Sequence, residues 1–399
     1  MQPLKIAIVV SHPIQHFCPQ YVSFAKNSGL NIKVFFGSVL GYKPFKDNNF
    51  KEVISWNNLN LDKFEHIFLN GDEELPVTAA IDAISLNREL SAFNPELVIT
   101  YGYFQKLQRH ACSWAKKNNI ALAYISDSEL RQKIGFFKQA LKYPFIRWYL
   151  SKITYFLTVG DQNEQYYKFY KVPEQKFIRM HFPIDIELYK IKYEQRDLLK
   201  SKIRKEYGIR ADEIVLCVVG KLVSWKNQDH IIDAMRILER EGVFVHLFIV
   251  GSGNKMDEWK IKAQLLQKSR VHFTGFIGID TLPDYYAASD VYVHPAFIEP
   301  HSIAVSEAIY MGCPVILSDN CGSFGPNDDV QEDKNGNVFK FGDIEKLAEL
   351  IKKLATHKNE RESMSMNSHQ LGVKHQKISH ITVADSLINA IRHKYSSTN

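Results

Sequence analysis

The stretch His294–Ser318, HPAFIEPHSIAVSEAIYMGCPVILS, decides how the whole chain is read. The apolar runs Val291 to His294 and Val315 to Ser318 are short, as buried strands are, whereas Ser302 to Met311 has helical length and ends at Gly312. Glycine closes a helix because it takes the left-handed conformation without penalty. The unit is strand, loop, helix, strand, with Glu299 in the loop and Glu307 on the helix. The first N–H groups of a helix have no intrahelical acceptor and sit at the positive end of its dipole, so those of Ser302, Ile303 and Ala304 would face an anion. Carboxylates repel an anion. The physical use of Glu299 and Glu307 is therefore to accept hydrogen bonds from hydroxyl groups of the same ligand.

Working outward, the same alternation fills the chain. Lys5 to Val10, Ile32 to Phe36, Leu97 to Thr100, Ala121 to Ile125 and Phe156 to Val159 read as one series of buried parallel strands. Ile214 to Val219, Val245 to Val250, Val271 to Thr274, Val291 to His294 and Val315 to Ser318 read as a second. Between them, Ile186 to Tyr207 is dense in charge and has no strand pattern, which puts a boundary there. The expectation is an α/β protein of two doubly wound Rossmann-like sheets facing across a cleft. Its N-terminal domain would be 1–188, joined by a closing C-terminal helix from 380–399, and its C-terminal domain 189–379. Ligands of such sheets bind beyond the carboxyl ends of the strands. Lys221 and Lys226 follow the strand Ile214 to Val219 and are the cations placed to neutralise a phosphate.

Composition agrees with a folded protein: 399 residues, 45% hydrophobic and 24% charged, enough for two cores. No run approaches the roughly 20 apolar residues that span a bilayer, and the first apolar run is too short for a signal sequence, so a cytoplasmic protein is expected. The five cysteines form no C-x-x-C pair and read as buried thiols. No Asp-x-Asp pair follows a strand and no His or Cys cluster has metal-ligand spacing, so neither metal nor cofactor is expected. The formal charge of +6 hints weakly at anionic partners.

The C-terminal half resembles the large retaining glycosyltransferase family of GT-B fold called family 4. The resemblance rests on Gly220-Lys221 with Lys226, Ile249-Val-Gly251-Ser-Gly253, Val271-His-Phe-Thr-Gly275, Tyr286-Ala-Ala-Ser-Asp290, and the Glu299 and Glu307 pair, all in order. It implies a metal-independent hexosyltransferase acting with retention on a nucleotide diphosphate sugar. Glu299 would contact donor-sugar hydroxyls and Glu307 the ribose. Lys221, Lys226 and the amides of Ser302, Ile303 and Ala304 would hold the diphosphate. The family usually has Phe-Gly where this chain has His301-Ser302, and Arg at Lys221, which leaves the donor sugar open and makes His301 a possible ligand contact.

The N-terminal half adds Val10-Ser-His12-Pro-Ile-Gln15-His16 after the first strand. There His12, Gln15 or His16 would touch donor or acceptor, or serve as ordinary loop residues, with His12, nearest the strand end, preferred. Asp127 follows the fourth strand where many relatives have histidine; it would orient the acceptor or support charge at the anomeric carbon, or else cap a helix. Val159 to Tyr167 and Phe182 to Asp185 also resemble the family, as domain-closing turns and cleft wall. From Leu130 to Gly160 there is no acidic residue, while Arg131, Lys133, Lys138, Lys142, Arg147 and Lys152 interleave with aromatics. That is the composition of a surface for anionic membranes, useful to a lipid-linked acceptor, unless the aromatics pack inside. No nucleic-acid module is recognisable. The rival readings are a catalytically inactive sugar-nucleotide-binding subunit and a sugar-nucleotide epimerase or phosphorylase of the same fold. An NAD-dependent oxidoreductase is disfavoured because no G-x-G-x-x-G follows the first strand.

Overall fold

Fifteen strands are found in the computed structural model, which describes residues 2–42, 45–47, 52–54, 56, 59–131 and 136–396. In chain order they are β1 Leu4–Val10, β2 Leu30–Phe36, β3 Phe45–Asp47, β4 Glu52–Ile54, β5 Glu65–Phe68, β6 Leu97–Tyr101, β7 Ala121–Ser126, β8 Tyr155–Thr158 and β9 Phe177–Arg179. The second half adds β10 Ile214–Val219, β11 Val245–Val250, β12 Arg270–Gly275, β13 Val291–His294, β14 Val315–Ser318 and β15 Gly336–Phe339. One sheet has the order β5-β2-β1-β6-β7-β8-β9 and the other β12-β11-β10-β13-β14-β15, parallel throughout. Strands β3 and β4 form a separate antiparallel pair.

Each sheet is covered on both faces, which is why its inner strands are apolar without alternation. Along β1, Ile6, Ile8 and Val10 enter one core cluster while Ala7 and Val9 enter another on the opposite face. Along β10, Val215 and Cys217 divide from Leu216 and Val218 in the same way. Besides the short pair β3 and β4, the strands that sequence patterning misses, β5, β9 and β15, all lie at sheet edges, and the first two carry half-exposed residues that dilute the apolar signal.

After β9 come two helices, Ile186–Glu194 and Arg196–Glu206, whose Tyr189, Leu199 and Ile203 enter the core of the second sheet; the first is capped by the Asp185 carboxylate accepting from the Leu188 N–H at 3.1 Å. At the other end of the chain, helix Lys358–Lys377 packs on the helix Ile303–Tyr310, so closely that a Cβ on Gly372 would lie 2.7 Å from the Tyr310 Cα. The chain then crosses back, and Val383, Leu387, Ile388 and Ile391 of the helix Val383–Ser396 enter the core of the first sheet. Residues 397–399 at the end of the closing segment, and Lys133 of the basic segment, lie outside the described residues; so do the side chains of Phe136, Phe137 and Lys138.

The sheet orders fix where a ligand can go. The first reverses direction between β1 and β6, the second between β10 and β13. A crevice opens beyond the carboxyl ends of strands at such a reversal, and here the two crevices face one another.

Candidate functional site

The facing crevices form one cavity of about 660 Å³. Gln15, His16, Tyr101, Gly102, Ser126, Asp127 and Phe182 line it from the first sheet; Gly220, Lys226, Glu299, His301, Ser302, Ile303, Ala304 and Glu307 line it from the second. An apolar patch of Phe276, Ile277, Ile279 and Leu282 completes the wall, a surface on which a planar group can lie. The lysine-bearing turn and the helix start thus converge on one space. Backbone bonding holds them together, since the Phe297 N–H donates to the Trp225 carbonyl at 2.8 Å.

Not every expected cation and amide serves that space. Lys226 reaches the cavity, but Lys221 is absent from its wall, and its carbonyl accepts from the Gln228 side-chain amide at 3.1 Å. The preceding Gly220 occupies the wall instead, because the chain turns there at φ +147°. Gly251 permits that turn: a Cβ on it would lie 2.0 Å from the Gly220 carbonyl oxygen. At the helix Ile303–Tyr310, the Ser302 N–H is already given to the Ser323 hydroxyl at 2.8 Å, so Ser302 does not offer its amide to a ligand. The amides of Ile303 and Ala304 open the helix at the cavity, where no intrahelical acceptor exists for them.

The two glutamates have different surroundings. Glu299 forms an ion pair with Lys226 and also faces His294 Nε2 at 3.3 Å. Burial holds His294 well below the ordinary histidine pKa, with Lys226 adding to the effect, so the ring is neutral. Its Nε2–H then donates to the carboxylate while Nδ1 accepts from the Tyr292 hydroxyl at 3.2 Å. The Glu299 backbone is fixed from the other side, its carbonyl accepting from the Gly322 N–H at 2.8 Å. Glu307 is buried beneath the helix start. Burial raises its carboxyl to about 7, against the opposing hydrogen bond donated by the Tyr286 hydroxyl at 2.9 Å.

On the other wall, His16 and Gln15 line the cavity and His12 does not. His12 turns aside, its Nδ1 2.8 Å from the Ser11 hydroxyl and its ring against Trp56. The preference for His12 on nearness to the strand end is therefore corrected. Burial lowers His16 to about 4, leaving it a neutral hydrogen-bonding ring. Asp127 opens onto the cavity with its carboxyl raised by desolvation. The next described helix begins at Phe136, so Asp127 caps no helix among the described residues.

His301 takes a role that sequence reasoning left open. It is buried at the cavity edge with Nε2 3.0 Å from Asp328 Oδ1. Burial disfavours its charge, but the Asp328 carboxylate overcomes that and raises its pKa. The other Asp328 oxygen accepts the Asp161 N–H of the N-terminal lobe at 2.7 Å, and Gly160 leaves the room: a Cβ there would meet that oxygen at 2.4 Å. Nearby, Arg179 binds Asp161 at 2.6 Å and donates to the Asn327 carbonyl at 3.0 Å. Arg131 crosses the cleft to the Asp319 carbonyl at 2.5 Å. The loop 319–329 is thus the seam between the lobes, and no motif pointed to it.

That seam also gathers His181, Asp329 and His375, and His301, Asp328 and Asp329, each group with donor atoms within 4.8 Å of one another. Sequence spacing shows no such cluster; the fold builds it from distant positions. Its central carboxylate is engaged within the protein: His375 Nδ1 lies 2.9 Å from Asp329 Oδ1, and the Ser306 hydroxyl donates to Asp329 at 2.5 Å. The His181 and His375 rings stack 3.6 Å apart with 12° between their planes, so their in-plane lone pairs cannot converge on one ion.

Residues 200–371 match the family model for glycosyl transferases group 1. An uncharacterized glycosyltransferase of Methanocaldococcus jannaschii is 37% identical over 121 residues, 30% of each chain. The lipopolysaccharide glucosyltransferase WaaG of Escherichia coli is 32% identical over 120 residues, 30% of this chain and 32% of the relative. These matches span about a third of the relatives' length. Across the whole chain the likeness is structural: Anabaena HepE, solved with UDP, superposes at a TM-score of 0.71 over 98% of this chain and 100% of that one, at 15% identity. The fold is GT-B.

Proposed function

We propose that the chain transfers a hexose-type sugar, with retention, from a nucleoside diphosphate to a glycan or lipid-linked acceptor. It would do so at the cytoplasmic side of a membrane where cell-surface polysaccharide or glycoconjugate is made. The observation that carries the reading is the single cavity shared by Lys226, Glu299, Glu307 and the first amides of the helix Ile303–Tyr310. A helix start and one lysine suit a diphosphate, and two carboxylates suit polyol hydroxyls. WaaG, named for sugar transfer to lipopolysaccharide, and HepE, solved with UDP, are consistent with that donor and with a lipid-linked acceptor.

In this reading the diphosphate lies against the Ile303 and Ala304 amides and Lys226, while Glu307 accepts from the ribose and Glu299 from the sugar. The bond from the anomeric carbon to the diphosphate breaks as the acceptor oxygen bonds to that carbon on the same face. The acceptor proton passes to the departing phosphate oxygen. Asp127, on the facing wall of the cavity, stabilises the transient positive charge of that carbon. Electrostatic stabilisation of the leaving diphosphate and positioning supply most of the rate, and no metal or cofactor takes part.

The test is a thermal-shift and hydrolysis panel of UDP, GDP, ADP and dTDP sugars. Binding with slow hydrolysis of one donor supports the reading, and Asp127→Asn should then slow turnover without weakening nucleotide binding. Tight binding with no turnover, with or without acceptor extract, makes the chain a binding subunit. No binding of any of them sinks the reading.

A further inference from the structure

The helix Phe136–Ser151 is apolar on more than the face it packs. Ile146, Tyr149 and Leu150 are buried in the core beside the first sheet. On a second face Leu141, Phe145 and Trp148, spaced i, i+4 and i+7, stand 81%, 47% and 56% exposed. Single exposed apolar residues are ordinary, but three along one stripe give a helix two apolar surfaces and only one protein core to bury them.

Beside that stripe, between this helix and the helix Lys106–Lys117, lies a second cavity of about 470 Å³. Arg109, Lys116, Lys117 and Lys152 line it together with Phe145 and Trp148, and no carboxylate is among its lining residues. Lys152 stands over the Trp148 ring, 3.0 Å from its centre. Lys116, Lys117 and Lys152, with Arg109 beside them donating to the Tyr103 and Phe104 carbonyls at 2.9 and 2.5 Å, gather positive charge around one hollow with no carboxylate in its wall, a site for an anion. The aromatic stripe at its rim suits the boundary between water and hydrocarbon, where rings with a polar edge collect.

We infer that this face docks on a bilayer, the cavity taking the phosphate of an anionic lipid head group while Leu141, Phe145 and Trp148 enter the interface. A soluble phosphate would satisfy the cations and leave the apolar stripe in water; a bilayer satisfies both. Among the described residues no helix is long and apolar enough to cross a membrane, so the association is peripheral. The inference stands on this face alone and not on the chemistry of the cleft.

The experiment is co-sedimentation of the full chain with vesicles of phosphatidylcholine, with or without phosphatidylglycerol, at low and high salt. Nucleoside diphosphate binding and thermal melting are measured on the same samples. The wild type should bind only the anionic vesicles, and more weakly in high salt. The double variant Lys116→Glu, Lys117→Glu should lose at least about 25-fold in vesicle affinity, at about fivefold per cation. Trp148→Ala should weaken vesicle binding while the melting temperature stays within a few degrees. Equal binding to both vesicle types, no vesicle binding, or preference for soluble glycerophosphate or RNA over vesicles overturns the inference. Any of these with nucleotide binding intact leaves the sugar-transfer reading standing.

Discussion

Lys226 and Glu299 pair with each other in the cleft, each side chain largely screened from water, at 20% and 16% exposure. On the proposed reading a diphosphate would have to take the lysine away from the carboxylate, so Glu299 would compete with the ligand for its own cation. At contact distance and an effective dielectric of ~20 the attraction of such a pair is about 4 kcal/mol before desolvation. The net worth of a partly buried pair is smaller, about 1–2 kcal/mol. Replacing Glu299 by Gln removes the competitor and one nearby negative charge while keeping the shape. Free nucleoside diphosphate should then bind about 5–30-fold more tightly. Turnover should move the other way, by roughly 10–100-fold, because a neutral amide makes weaker hydrogen bonds to sugar hydroxyls than a carboxylate does. Isothermal titration with the nucleoside diphosphate favoured in the panel measures the first effect and donor hydrolysis the second. Lys226→Met should weaken nucleotide binding, and the double variant should fall short of additivity by the pair's worth. Unchanged or weaker nucleotide binding by a properly folded Glu299→Gln variant would refute the competition.

Three further outcomes follow from groups on the page. Burial holds the Glu307 carboxyl at about 7 against an ordinary 4.5, so the fold favours its protonated form and the cost of ionising it appears as pH rises through that window. Relative to wild type, Glu307→Gln should gain about 3 kcal/mol of unfolding free energy between acid and mildly alkaline pH, measured by urea melts; a flat difference refutes the buried-acid account. His301 is raised by Asp328, so the pair's stabilisation is complete below the unfolded histidine value of 6.5 and is lost as pH climbs through the raised one. Asp328→Asn should cost about 3–5 kcal/mol near pH 6 and less in alkaline buffer, by the same melts. Gly251→Ala drives a Cβ against the Gly220 carbonyl and must hold φ near +139°, so it should cost about 2 kcal/mol or more and weaken nucleotide binding as the turn moves away from the cavity.

How much of this could be read in the sequence depends on how local the cause is. Strands β10, β11, β13 and β14 have the bounds that the apolar runs give, because a strand buried on both faces needs no partner information to declare itself. The helix Ile303–Tyr310 and its stop at Gly312, φ +76°, are equally local. The rule that ligands sit beyond strand ends at a sheet reversal then brings Glu299, Glu307, Lys226 and Asp127 to one cleft without any side-chain detail. The same rule could not choose between His12 and His16. Both follow β1, and only the packing of Trp56 on one and Phe182 beside the other decides which ring turns to the cavity.

What stayed hidden is the choice of partner for each polar group. The sequence points Lys226 and Glu299 each at a ligand, yet in the fold they also pair with each other. Ser302 offered an amide that Ser323, 21 residues on, had already claimed. Asp328 looks like a loop aspartate until the parallel topology carries it to His301 and to the Asp161 amide, 167 residues away. Hydrogen bonds and ion pairs of this kind depend on where side chains end, within a few tenths of an ångström, and no periodicity encodes that. The seam built from them also has a mechanical consequence. Arg131 binds the Asp319 carbonyl and Glu299 is anchored through Gly322 in the same loop, so the position of Glu299 depends on the lobes being closed. A cleft that opens would loosen the residue assigned to the sugar while leaving Glu307, fixed inside its own helix and held by Tyr286, in place for the nucleotide. Nucleotide binding should therefore survive loss of the Arg131 bridge, as in Arg131→Ala, better than sugar transfer does.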